Sequence, residues 1–171
     1  MFINIIIYKQ YKMADTYTNI SIQFVFAVKN RSSLIEKSWR EPLYQYITGT
    51  IQNYGHKLLR INGMSDHIHI FIGYNVNQLI PELIREIKTA SNKYIRDNKF
   101  TRYKFEWQSG YGAFSYNFTD RENVINYIIN QQLHHQKKTF RDEYMEMLRE
   151  FEIEFKAPYL LDFFEDSFSD I

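Results

Sequence analysis

Asp66-His67-Ile68-His69-Ile70-Phe71-Ile72 alternates polar and apolar residues and reads as a β-strand. Residues two apart on a strand share a face. Both imidazoles therefore project from one side, while Ile68, Ile70 and Ile72 enter a core on the other. The two rings stand close enough to share one divalent cation. Two histidines remain an incomplete metal site, and the same spacing suits two half-exposed polar residues on a sheet.

The elements around this strand decide the fold class. Residues 56–63 read as a second strand, with Asn62-Gly63 opening a turn, so the two should form a hairpin. Residues 19–29 form another strand, with Ile20, Ile22, Phe24, Phe26 and Val28 on one face. Ser21, Gln23, Val25 and Ala27 line its smaller, more polar face. A helix is expected over 40–54, with Pro42 in its first turn and Gly55 as its stop. A second helix is expected over 79–98, buried along Ile80, Leu83, Ile84, Ile87 and Tyr94. Strand segments at 104–107 and 113–118 flank the turn-rich residues 108–112. The order is β-α-β-β-α-β. It predicts an α+β protein of ferredoxin-like or RRM-like type, with an antiparallel sheet, helices on one face and the histidine motif on a central strand. The opposite face is expected to stay free. Two more helices follow, over 120–136 and 139–155.

The chain has 171 residues, enough for one domain with a real core, and 18% of them are aromatic. It has no cysteine, which removes disulfides, thiolate metal sites and cysteine nucleophiles. The net charge of +1 conceals a division. Residues 1–139 hold 18 Lys/Arg against 10 Asp/Glu, and residues 140–171 hold 3 against 10. A basic body suits a polyanion, although charge alone equally describes a solvated surface. No stretch is long enough to span a membrane. Residues 1–12 read as an N-terminal extension, with Met13 a plausible start. Residues 13–156 are expected to form the domain, and 157–171 an acidic, aromatic tail.

The third expected helix carries Tyr127 and Gln131 four residues apart, on one face. His134 and His135 continue that side. A helix bearing phenol, carboxamide and imidazole makes sense against a histidine-bearing sheet. By spacing alone the pair is weak, because the chain has 14 tyrosines.

Taken together, these motifs resemble the small single-tyrosine transposases of the HUH (His-hydrophobic-His) superfamily, encoded by the smallest bacterial and archaeal insertion sequences. The resemblance runs through the strand at 18–29, Asp66-His67-Ile68-His69, Trp107-Gln108-Ser109-Gly110-Tyr111-Gly112-Ala113-Phe114-Ser115, and the segment from Tyr127 to His135. It covers about residues 14–150. It implies that His67 and His69 bind one divalent cation, Mg²⁺ or Mn²⁺, with Gln131 as the third ligand. It implies that Tyr127 is the nucleophile on single-stranded DNA, leaving a 5′-phosphotyrosine and a free 3′-OH. Such an intermediate preserves the phosphodiester energy, so no ATP is needed.

The resemblance further implies a cytoplasmic homodimer that reads DNA hairpins near element ends, with the tyrosine helix able to complete its partner's site. Arg85, Lys88, Arg96, Lys99, Arg102 and Lys104 are the phosphate-contact candidates. Two alternatives stay open at this stage. One is a domesticated relative associated with repetitive extragenic palindromes, and the other is a noncatalytic nucleic-acid-binding module on the same fold. The acidic tail is expected to shield the basic surface.

Overall fold

The computed structural model describes residues 17–29, 34–156 and 160–163. The extension at 1–12 and most of the acidic tail lie outside them. Four strands and five α-helices follow in chain order. They are β1 Ser21–Ala27, α1 Lys37–Asn53, β2 Lys57–Gly63, β3 His67–Gly73, α2 Ile80–Asp97, β4 Gly112–Tyr116, α3 Arg121–Ile129, α4 Gln131–His134 and α5 Phe140–Glu150. The strands form one antiparallel sheet in the order β2-β3-β1-β4. This is the expected βαββαβ arrangement, with the histidine strand second from the edge.

The two faces of β1 and β3 direct the packing. Phe24, Phe26, Val28, Ile68, Ile70 and Ile72 bury against α1 and α2 through Leu43, Ile47, Leu83 and Ile87. Fully burying side chains of this size contributes roughly 1.5–3 kcal/mol each, so this layer dominates the fold's stability. The hairpin between β2 and β3 closes at Gly63. A Cβ there would stand 2.2 Å from the His67 carbonyl oxygen, so only glycine allows the approach. Gly55 ends the α1 segment with φ +77, a conformation that glycine adopts without strain.

The opposite face is covered, not free. Val25, Ala27 and Phe114 pack against Phe140, Tyr144, Met147 and Leu148 of α5. Phe71 packs against Val124 and Ile128 of α3. The small side chains on this face of β1 let α5 approach closely. Leu161 extends the layer, and the Gln108 side chain holds the backbone of Asp162, accepting from its N–H at 2.7 Å and donating to its carbonyl.

Two boundaries also differ from the sequence reading. Residues 104–107 form no strand; Trp107 makes one isolated bridge to Val28, and Phe105 and Trp107 face the core instead. The helix expected over 120–136 breaks at Asn130 into α3 and α4. Asn62 of β2 explains what holds that break. Its Nδ2 donates to the carbonyls of Ile128 at 2.8 Å and Ile129 at 3.1 Å, acceptors that a helix end leaves open. Thr139 caps α5, accepting from the Asp142 N–H at 3.1 Å.

Candidate active site

His67 and His69 lie on the face covered by α3, α4 and α5, and both are fully buried. Each ring is held at Nδ1. His67 Nδ1 is 2.7 Å from Asp66 Oδ1, and His69 Nδ1 is 2.8 Å from Gln23 Nε2. Tyr116 donates to Gln23 Oε1 at 2.9 Å, extending the support to β4. Both Nε2 atoms point inward and have no hydrogen-bond partner.

They face Glu143 of α5. His67 Nε2 is 3.6 Å from its Oε2, and His69 Nε2 is 3.5 Å from its Oε1. Tyr127 on α3 donates its hydroxyl to Glu143 Oε1. Gln131 donates Nε2 to the same oxygen at 2.8 Å, and its Oε1 lies 3.1 Å from His135 Nε2. A carboxylate can only accept, which fixes the amide's orientation. His135 Nε2 is also 3.0 Å from Glu143 Oε2. Tyr127 and Gln131 thus share a face, as their spacing predicted, and that face meets the histidine strand within one chain.

The electrostatics follow from this burial. Desolvation alone would push the Glu143 carboxyl upward, but His69, His135 and His67 together hold it well below the usual carboxylate range. Burial pulls His67 down, yet Asp66 outweighs that and raises it. His69 lacks such a partner, so burial wins and its pKa falls despite Glu143. Tyr127 is pushed far up, first by burial and then by the charge and hydrogen bond of Glu143. In this arrangement the phenol keeps its proton.

The family model described as IS200-like transposase matches residues 16–131, from before β1 to Gln131. The chain belongs to this family. Two solved structures share the transposase fold. One is a candidate transposase from Deinococcus radiodurans R1, 19% identical, with a TM-score of 0.55, covering 70% of this chain and 97% of its own. The other is a REP-associated tyrosine transposase bound to a REP hairpin, 15% identical, with a TM-score of 0.54, covering 91% of this chain and 94% of its own. No curated protein matches the chain.

The residues of this transposase fit a divalent cation. Two buried atoms, Nε2 of His67 and Nε2 of His69, have no hydrogen-bond partner and converge on Glu143. Such orphaned atoms are costly unless something charged or polar meets them. The Asp66–His67 contact is also the support that metal-binding imidazoles commonly have. For His69, the Gln23 amide nitrogen at Nδ1 places the ring proton on Nε2. Turning that amide over frees Nε2, because Tyr116 can accept as well as donate.

Glu143 went unread in the sequence, and it lies beyond the residues the family model matches. One signal was present. Phe140, Tyr144, Met147 and Leu148 form the buried stripe of α5, and Glu143 falls on that stripe. A carboxylate on an apolar face asks for a buried partner.

The transposase's six cationic candidates lie elsewhere, on α2 and the segment after it. Lys88 is half-buried, with Nζ donating to the carbonyls of Gln108 at 2.8 Å and Gly110, over the ring of Phe26. Arg85, Arg96, Lys99, Arg102 and Lys104 are exposed. Arg85 pairs with Glu86, Arg96 with Asp97 and Lys104 with Glu106. The layer they belong to packs on the sheet face opposite His67 and His69. Beside Tyr127, a groove of about 890 Å³ opens between β4, α3 and α5, lined in part by Gln23, Asn117, Asn123 and Phe151.

Proposed function

We propose that this transposase cleaves and rejoins single-stranded DNA through a tyrosine-linked intermediate. The supporting observation is the convergence of Tyr127, Gln131, His67 and His69 on one carboxylate, Glu143. A nucleophile and a cation site thereby share one centre within a single chain.

His67 and His69 would hold the cation, Mg²⁺ or Mn²⁺, with Gln131 as third ligand once its amide is free. A divalent cation there supplies Lewis-acid polarisation of a phosphoryl oxygen. The chain's own residues do the rest. Tyr127 Oη attacks phosphorus, forming one P–O bond as the bond to the 3′ oxygen breaks. The phenol loses its proton and the leaving oxygen gains one. Attack by a 3′-OH on the phosphotyrosine reverses these roles and rejoins strands.

α5 covers the histidines, so Glu143 has to leave before a phosphate takes its place. Its departure also removes the charge and hydrogen bond that, after burial, do most to keep Tyr127 protonated. The groove beside Tyr127 gives the strand a route to the nucleophile.

The substrate in this reading is single-stranded DNA folded into a hairpin at an element end. Arg85, Arg96, Lys99, Arg102 and Lys104 are its proposed phosphate contacts. A role on hairpins scattered through a genome is the second reading, favoured by the REP-bound neighbour's 91% coverage of this chain. Homodimerisation is a further proposal, with sedimentation of the free and hairpin-bound protein as its measure. A labelled hairpin oligonucleotide incubated with Mn²⁺ or Mg²⁺ tests the whole reading. Wild-type protein should cleave it, while His67→Ala and His69→Ala should bind but not cleave. Absence of cleavage by the wild type on any hairpin, with either metal, would defeat the proposal.

A further inference from the structure

With α5 seated, the centre holds three imidazoles and one carboxylate. His67, His69, His135 and Glu143 are all at least nine-tenths buried. His67, His135 and Glu143 offer ligand atoms that all lie within 4.8 Å of one another. The contacts to Glu143 are 3.6 Å from His67, 3.5 Å from His69 and 3.0 Å from His135. Ligands about 2.1 Å from a common tetrahedral centre stand about 3.4 Å apart. The atoms of His67, His135 and Glu143 therefore stand at separations that a shared cation allows. Glu143 Oε2 is met by His135 Nε2, whereas the inward nitrogens of His67 and His69 have no hydrogen-bond partner.

Gln131 is engaged at both ends of its amide, by Glu143 and by His135. While α5 is seated it orients these two side chains and is not itself free to ligate. We infer that, with α5 seated, His67, His135 and Glu143 form a site for a transition-metal cation of the Zn²⁺ class, His135 Nε2 giving up the proton it shares with Gln131. The inference rests on the cation site proposed above but differs in ligands and in metal. Two imidazole nitrogens and a carboxylate oxygen suit Zn²⁺. Mg²⁺ prefers six oxygens and keeps several waters.

The test uses untagged, chelator-treated, full-length protein without DNA. Zn²⁺ and Mg²⁺ are titrated separately by calorimetry, with thermal melting alongside. Zn²⁺ should bind at one site per chain and raise the melting temperature, while Mg²⁺ at the same concentrations should not. Glu143→Gln and His135→Gln should each weaken Zn²⁺ binding by about tenfold or more. Circular dichroism confirms folding, and either variant alone decides the matter if the other fails to fold. Unchanged Zn²⁺ affinity in a folded variant overturns the inference, as does equal affinity for Mg²⁺ or no Zn²⁺ binding at all. DNA cleavage is scored separately. A chain that cleaves hairpins but fails these titrations keeps its function and loses this site; the reverse result keeps the site and loses the function.

Discussion

The hydroxyl of Tyr127 donates to the carboxylate of Glu143, a residue sixteen positions later on a different helix. That carboxylate also faces both histidines of the sheet. The proposed nucleophile and the proposed cation ligands are thus joined through a side chain that, in the proposed reaction, the DNA displaces.

Removing this charge should be costly at neutral pH. Glu143→Gln leaves three buried imidazoles without their anion, a loss of about 3 kcal/mol. For a chain of this size that lowers the melting temperature by roughly 10 °C. The folded carboxyl titrates well below its usual 4.5, so its stabilisation is fully present above that value. It is lost as pH falls through the folded pKa. The gap between wild type and variant, measured with chelator present, should narrow as pH falls below 4.5. A constant gap from neutral to acid pH would contradict the assignment.

Asn62 should position the tyrosine helix. It pairs with His69 across the β2–β3 ladder and holds the last carbonyls of α3. Asn62→Ala should cost about 1–2 kcal/mol of stability. It should also slow adduct formation more than it weakens hairpin binding. Equal losses in both would assign Asn62 a purely structural role.

Lys88 should matter for folding and little for DNA. Its ammonium holds two loop carbonyls, and burial lowers its pKa to about 8. Lys88→Met should destabilise by about 1–3 kcal/mol. The unfolded lysine keeps its proton up to about 10.5, so wild-type stability relative to the variant should rise between pH 8 and 10.5. Melting temperatures across that range check the sign.

The exposed cations give the opposite signature. If Arg96 and Lys99 contact phosphates, each alanine variant should reduce the salt slope of single-strand binding by about 0.7. Lys88→Met should leave that slope unchanged. Titrations between low and moderate salt separate the two classes.

Local pattern made the sheet legible. The alternation through His67, Ile68, His69 and Ile70 fixes two faces, and the β1 pattern does the same. The spacing of Tyr127 and Gln131 placed both on one face because α3 runs directly into α4. What covered the second face was not legible. Val25 and Ala27 read as a smaller, more polar edge, yet their size is what admits α5. Glu143 reaches His67 across 76 positions of sequence, and no local period encodes such a contact. The break at Asn130 has no Gly or Pro to mark it; Asn62, on another strand, stabilises it. Trp107 read as a strand residue because its neighbours alternate, but the core claims its ring and leaves the backbone one bridge.

Peptide mapping of the covalent protein–DNA adduct tests the central claim most directly. Wild-type protein incubated with hairpin DNA and Mn²⁺ should yield a nucleotide-modified peptide with the mass shift on Tyr127, and Tyr127→Phe should yield none while still binding the hairpin. An adduct on another residue, or one that persists in Tyr127→Phe, would contradict the account.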